Sequence, residues 1–141
     1  MKPITAKRNR LPVFSTRFVA IGIGLGISLG VSIAAHAATL QVGPGKTYAK
    51  PCLAIAAAAA GDTVEIDAAG SYAGDTCAWS TDNLTVRGVG GRPKLDITGV
   101  QPAQQKGLFT ISAANATIEN LEFSGAAISA ASGNNGAGIR H

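Results

Sequence analysis

Histidine is almost absent from this chain once its first 37 residues are set aside: only the terminal His141 remains. That scarcity excludes a histidine-based zinc site or catalytic dyad. Aromatic residues are few, 5% of the 141 residues, and the β-type runs are shorter than a sandwich or barrel usually shows. There are only two cysteines, Cys52 and Cys77. Tight two-residue hairpin signals are missing apart from Asn135-Gly136, and a sandwich or up-and-down barrel should show several. The formal charge of +4 is unevenly placed. Residues 1–37 hold Lys2, Lys7, Arg8, Arg10 and Arg17 and no acid, whereas 38–141 hold seven bases against eight acids. The basic balance therefore belongs to the leader, and nothing in the remainder suits nucleic acid.

The leader has the layout of a secretory signal. A basic segment precedes the uncharged run FVAIGIGLGISLGVSIAA (18–35), and Ala35-His36-Ala37 supplies a small-x-small cleavage pattern. Cleavage is expected between Ala37 and Ala38. The alternative is an uncleaved anchor, since the run approaches spanning length, and this is the one route to a membrane. Export in turn favours a disulfide between Cys52 and Cys77, against two unrelated buried thiols. Two glycine-rich stretches imitate nucleotide loops. Gly22–Gly26 follows no strand, and GPGKT (43–47) has Leu40 where a phosphate loop needs glycine. No cofactor follows from either.

YAKPCLAIAAAAAGD (48–62) reads as one helix, with Pro51 in the first turn and Gly61 as the stop. ATLQV (38–42) before it alternates like a strand. After Gly61 the chain consists of short β-type runs separated by Gly, Asn, Asp and Ser. Two of the runs repeat. LTVRGV (84–89) aligns with ATIENL (116–121), each preceded by an asparagine, Asn83 or Asn115. The column pairing Gly88 with Asn120 joins two residue types that tolerate positive φ. A left-handed corner at that column would let Ile118 and Leu121, three apart, enter the same core. A chain that repeats short strands and one-residue corners winds a coil, and stacked coils pair in parallel.

GPGKTYAKPCLAIAAAAAGDTVEI, AGSYAGD (69–75), NATIENLEFSGA (115–126) and NGAGIR (135–140), in that order, resemble the right-handed parallel β-helix proteins of the pectate-lyase-like superfamily. The resemblance implies an all-β, right-handed parallel β-helix with a short amino-terminal capping α-helix. It divides the chain into a signal peptide (1–37), a strand and cap helix (38–62) and coils (63–141). It further implies that TVEI (63–66), LFTI (108–111) and AGIR (137–140) are successive first strands. LTV and ATI would be second strands, KLDI and LEF third strands, with excursions at 67–82 and 99–107. A Cys52–Cys77 bond would then tie the cap helix to the first excursion. On this count two coils and the start of a third precede His141, so the β-helix is expected to be incomplete, the amino-terminal part of a longer protein or a truncated product.

Such proteins act on or bind polysaccharides along the groove of the first strands, so polysaccharide is the expected partner. Arg140 and His141 are then the candidates for groove contact. No catalytic motif of the family maps onto a position here, and the fragment is expected to be inactive. The alternative is a non-catalytic envelope or adhesion β-helix. Glu65, Asp67, Asp75, Asp82 and Asp96 could ligate calcium, or could be solvated turn carboxylates. Glu119 and Glu122 flank the expected corner and should both project outward.

Overall fold

The computed structural model describes residues 36–102, 105–127, 129–130 and 136–141. The signal-like segment lies outside the described residues apart from its last two positions, His36 and Ala37. The described chain is a parallel β-solenoid of about four turns. Its strands are β1 (Thr39–Val42), β2 (Thr63–Asp67), β3 (Tyr72–Ala73), β4 (Cys77–Trp79) and β5 (Thr85–Val89), followed by β6 (Lys94–Asp96) and β7 (Phe109–Ile111). The last three are β8 (Thr117–Glu119), β9 (Glu122–Ser124) and β10 (Ile139–Arg140), and the single helix α1 is Pro51–Ala57. Three sheets result, ordered β1-β2-β5-β8, β3-β6-β9 and β4-β7-β10, and every strand pair is parallel.

Alternation along each strand determines what the solenoid encloses. Val64 and Ile66 on β2 and Val86 on β5 point inward and are fully buried, as are Leu95, Ile97, Leu108 and Phe109. In the first sheet Leu40, Val64, Val86 and Ile118 stack in one inward column. Phe109 meets Trp79 on one side and Phe123 on the other, both edge-on, with ring centroids 5.1 and 5.3 Å away. This is the favourable quadrupole geometry for aromatic pairs.

The internal repeat lies in register as aligned: Thr85 pairs with Thr117, Val86 with Ile118 and Arg87 with Glu119. Asn120 is left-handed, with φ 51°, and both Ile118 and Leu121 pack against the core. Its partner Gly88 behaves differently. Gly88 is an ordinary member of β5, and the positive φ falls two residues later at Gly90 (φ 70°). Glycine is needed at 88 for space, because a Cβ there would collide with the Asn120 carbonyl oxygen and the Pro93 ring. The Asn120 amide in turn donates to the carbonyls of Gly88 (3.1 Å) and Gly91. One corner thus braces the other.

The corner into the first sheet is the more regular one. Asn83 (φ 57°) and Asn115 (φ 56°) stack one turn apart, and Asn115 Nδ2 donates to Asn83 Oδ1 at 3.1 Å. Gly61 (φ 90°) precedes β2 as these asparagines precede β5 and β8.

The coil count and the strand assignment are corrected: the described chain makes about four turns, not two and the start of a third. TVEI pairs with the LTVRGV strand, not with LFTI. Residues 67–82 are therefore no excursion: β3 and β4 complete a short turn there, and it is β4 that stacks on β7. Tyr72 closes that turn, its buried ring inside and its hydroxyl donating to the Asp67 carbonyl at 2.7 Å. Burial raises the Tyr72 pKa, and the Asp67 charge adds to the effect. The other strand groupings, LTV with ATI, KLDI with LEF and LFTI with AGIR, share sheets as expected. Successive turns differ in length. Arg87 lies 22 residues from its partner Glu65, and Asn115 lies 32 from Asn83, the longer turn carrying the segment between β6 and β7.

The helix is also shorter than expected and is not amino-terminal, since β1 precedes it. Pro51 occupies its first turn, but it ends at Ala57, with Ala58 already extended (φ −74°, ψ 142°). Asp62 explains the early end: its carboxylate accepts the Ala59 N–H at 2.8 Å, drawing the alanine run off the helix. Ala54 and Ile55 are buried while Leu53 is exposed. α1 packs against β1, β2 and β4, and Cys52 is disulfide-bonded to Cys77 on β4.

Candidate functional site

The outward residues of the first sheet form two straight columns. Because β1, β2, β5 and β8 pair in register without a bulge, Thr39, Thr63, Thr85 and Thr117 stand one above another. Parallel strands repeat at about 4.8 Å, so this is an evenly spaced row of hydroxyls. Gln41, Glu65, Arg87 and Glu119 form the second column. Arg87 donates to Glu65 Oε1 from Nη2 at 2.6 Å and from Nε at 3.3 Å. Glu65, and more distantly Glu119, raise the Arg87 pKa and hold it charged. The pair is partly exposed, so its worth to folding is small. Its effect is to fix the guanidinium beside Glu65 on the outward face.

At the β1 end the face deepens into a recess of about 40 Å³ lined by Gln41, Val42, Lys46, Glu65, Asp67 and Val89. Lys46 comes from the GPGKT turn, which closes through Gly43 N–H donating to Tyr48 O at 2.9 Å and Tyr48 N–H to Gln41 O at 3.1 Å. The turn that imitates a phosphate loop therefore places its lysine beside two carboxylates, Glu65 and Asp67, an unsuitable surrounding for a phosphate.

The acids proposed as calcium ligands are dispersed. Asp75 accepts the Cys52 N–H (2.9 Å), Asp82 the Ala114 N–H (2.7 Å), Asp96 the Thr98 N–H (2.8 Å), and Asp67 the Ala69 N–H (2.9 Å). Each secures a turn. Among the described residues no three potential ligands gather into a metal site. Hydrogen bonds from Thr98 and from Lys94 hold Asp96 far below the usual carboxylate range. Asp75 is displaced the other way: burial raises its pKa, opposed by the Cys52 N–H and by Lys50.

Arg140 and His141 lie elsewhere. Arg140 pairs with Thr110 on the third sheet and is exposed, and His141 Nε2 is 3.2 Å from the Ala113 carbonyl. TVEI lies in the first sheet, so the strand that ends at Arg140 stacks with β7 and β4 and not with TVEI. Glu119 and Glu122 are both exposed, as expected. Asn83-Leu84-Thr85 and Asn115-Ala116-Thr117 have the form of glycosylation acceptors, but Asn83 and Asn115 are engaged with each other at the corner.

No protein-family model, no curated protein and no solved structure matches this chain. The parallel solenoid stands on its strand pairing alone. The threonine column escaped the sequence reading because its members are regular only in register. A threonine opens each of the four strands of this sheet, but the strands are separated in the chain by β3, β4, β6 and β7, and only the short turn at 67–82 brings them into line.

Proposed function

We propose that this chain is an exported, non-catalytic polysaccharide-binding β-solenoid whose binding surface is the outward face of β1, β2, β5 and β8. The observation that carries the reading is the paired columns, Thr39/Thr63/Thr85/Thr117 beside Gln41/Glu65/Arg87/Glu119. Hydroxyl, amide, carboxylate and guanidinium groups at even spacing suit a polymer that repeats its own hydroxyls. The Cys52–Cys77 bond supports an oxidising compartment, and the leader supports export. Charge refines the ligand. Around the recess and columns, Lys46 and Arg87 face Glu65, Asp67 and Glu119. Carboxylates outnumber cations, so an extended neutral glycan is favoured over a polyuronate.

The purified protein should be retarded in gels containing neutral glucans or mannans, and less in pectate or alginate. Replacing Thr63 and Thr85 by valine should weaken the retardation by roughly two- to tenfold per site, the worth of one neutral hydrogen bond. Failure to bind any neutral glycan, or release of unsaturated uronate products, would overturn the reading.

A further inference from the structure

At the start of β1 the chain is held by a two-part clasp. The Thr63 N–H donates to the Ala38 carbonyl at 2.8 Å, and the Ala38 N–H donates to Asp62 Oδ1 at 2.7 Å. The other Asp62 oxygen accepts the Ala59 N–H, and the residue retains only 6% exposure. The Ala38 and Ala59 N–H groups lower the Asp62 pKa, so the carboxylate is ionised at neutral pH. His36, Ala37 and Ala38 are exposed. The nitrogen beside this buried carboxylate is the one that hydrolysis after Ala35-His36-Ala37 would free.

We propose that Asp62 is the receptor for a new amino terminus: cleavage of the Ala37–Ala38 bond turns the Ala38–Asp62 hydrogen bond into an ion pair that locks β1 onto β2. Water is the co-reactant. Its hydroxyl completes the Ala37 carboxyl, its proton goes to the departing Ala38 amine, and an export peptidase of small-x-small specificity is the catalyst. The resulting amine is protonated at neutral pH, as α-amino groups have ordinary pKa values near 8. The carboxylate already makes this a charge-assisted bond, and a protonated donor adds the attraction of a full opposite charge. The fold is thereby completed by processing. The inference rests on the export reading and is independent of glycan binding.

The sign of the linkage is fixed by the carboxylate. Asp62 raises the folded pKa of the ammonium above its unfolded value, so the added stability is full below about pH 7.7. It is lost as pH rises through the folded value. The elements around the clasp, β1, β2, β5 and α1, carry Glu65, Asp67 and Arg87, with Lys50 just ahead of α1.

The full precursor should be exported from a bacterial host and its product weighed intact. The expected chain begins at Ala38. Half of the sample is then acetylated at its amino terminus at mildly acidic pH, where lysines stay protonated, which keeps the N–H and removes the charge. Acetylation should lower the melting midpoint at pH 6.5 by roughly 4–8 °C, with the gap closing towards pH 10. In D62N the gap should be absent at every pH. If D62N does not fold, the wild-type pH profile alone decides. A product that keeps the leader or begins elsewhere overturns the processing site. A product beginning at Ala38 whose melting is indifferent to acetylation overturns the ion pair.

Discussion

The two ends of the solenoid contain the same kinds of residue in the same columns, yet they are differently protected. At the helix end, Val64 and Ile66 on β2 are fully buried beneath β1 and α1, and Cys52 is bonded to Cys77. At the other end, Ala116, Ile118, Leu121 and Phe123 are only half-buried, and among the described residues no strand stacks on β8. A solenoid turn buries one side of its core itself and relies on a neighbour for the other. The difference in burial therefore measures coverage rather than composition.

Aromatic truncation gives the largest test of that contrast. Phe109→Ala removes a fully buried ring from between Trp79 and Phe123 and should cost about 3–5 kcal/mol. Phe123→Ala, at the half-buried end of the same stack, should cost clearly less, as read by urea denaturation at a common m-value. Equal losses would break the contrast. Next in size is the covalent tie. The cysteines are separated by 25 positions, and replacing both by serine should cost about 3 kcal/mol. The loss should appear as faster hydrogen exchange in α1 and β4 while β8 and β9 keep their rates. The smallest effect concerns Asp75, whose carboxyl pKa is raised mainly by burial. A raised carboxyl pKa adds stability that is full below the unfolded value and lost as pH rises through the folded one. Asp75→Asn retains an acceptor for the Cys52 N–H without the charge. It should melt slightly higher than wild type at pH 7, and the gain should vanish below the ordinary aspartate value of about 3.9.

Much of this architecture is legible in the sequence, and the reasons are local. The repeat of LTVRGV in ATIENL gave the correct register, because Arg87 and Glu119 face outward where Val86 and Ile118 face inward. Asn120 declared its corner through the three-residue gap between Ile118 and Leu121. The turn at 67–82 stayed hidden because β3 has two residues and β4 has three, too few for alternation to show. Gly88 does not use the backbone freedom that its column suggests. The demand there is for room, made by Pro93 and by the carbonyl of a residue one turn away, and no local pattern carries that information. The threonine and charged columns depend on the register of all four strands, which the short turn at 67–82 sets.

The stacked pair Asn83 and Asn115 has a consequence for how this chain can change length. The turn between them contains the long segment joining β6 and β7, yet β8 returns to β5 in register, with Thr117 on Thr85. Asn115 takes its position from Asn83 one turn away, so added or deleted residues in the β6–β7 segment are not passed on to the next strand. That segment is accordingly a natural grafting point. A foreign peptide inserted there would be displayed at a fixed place on the rod, with the host scaffold left in phase.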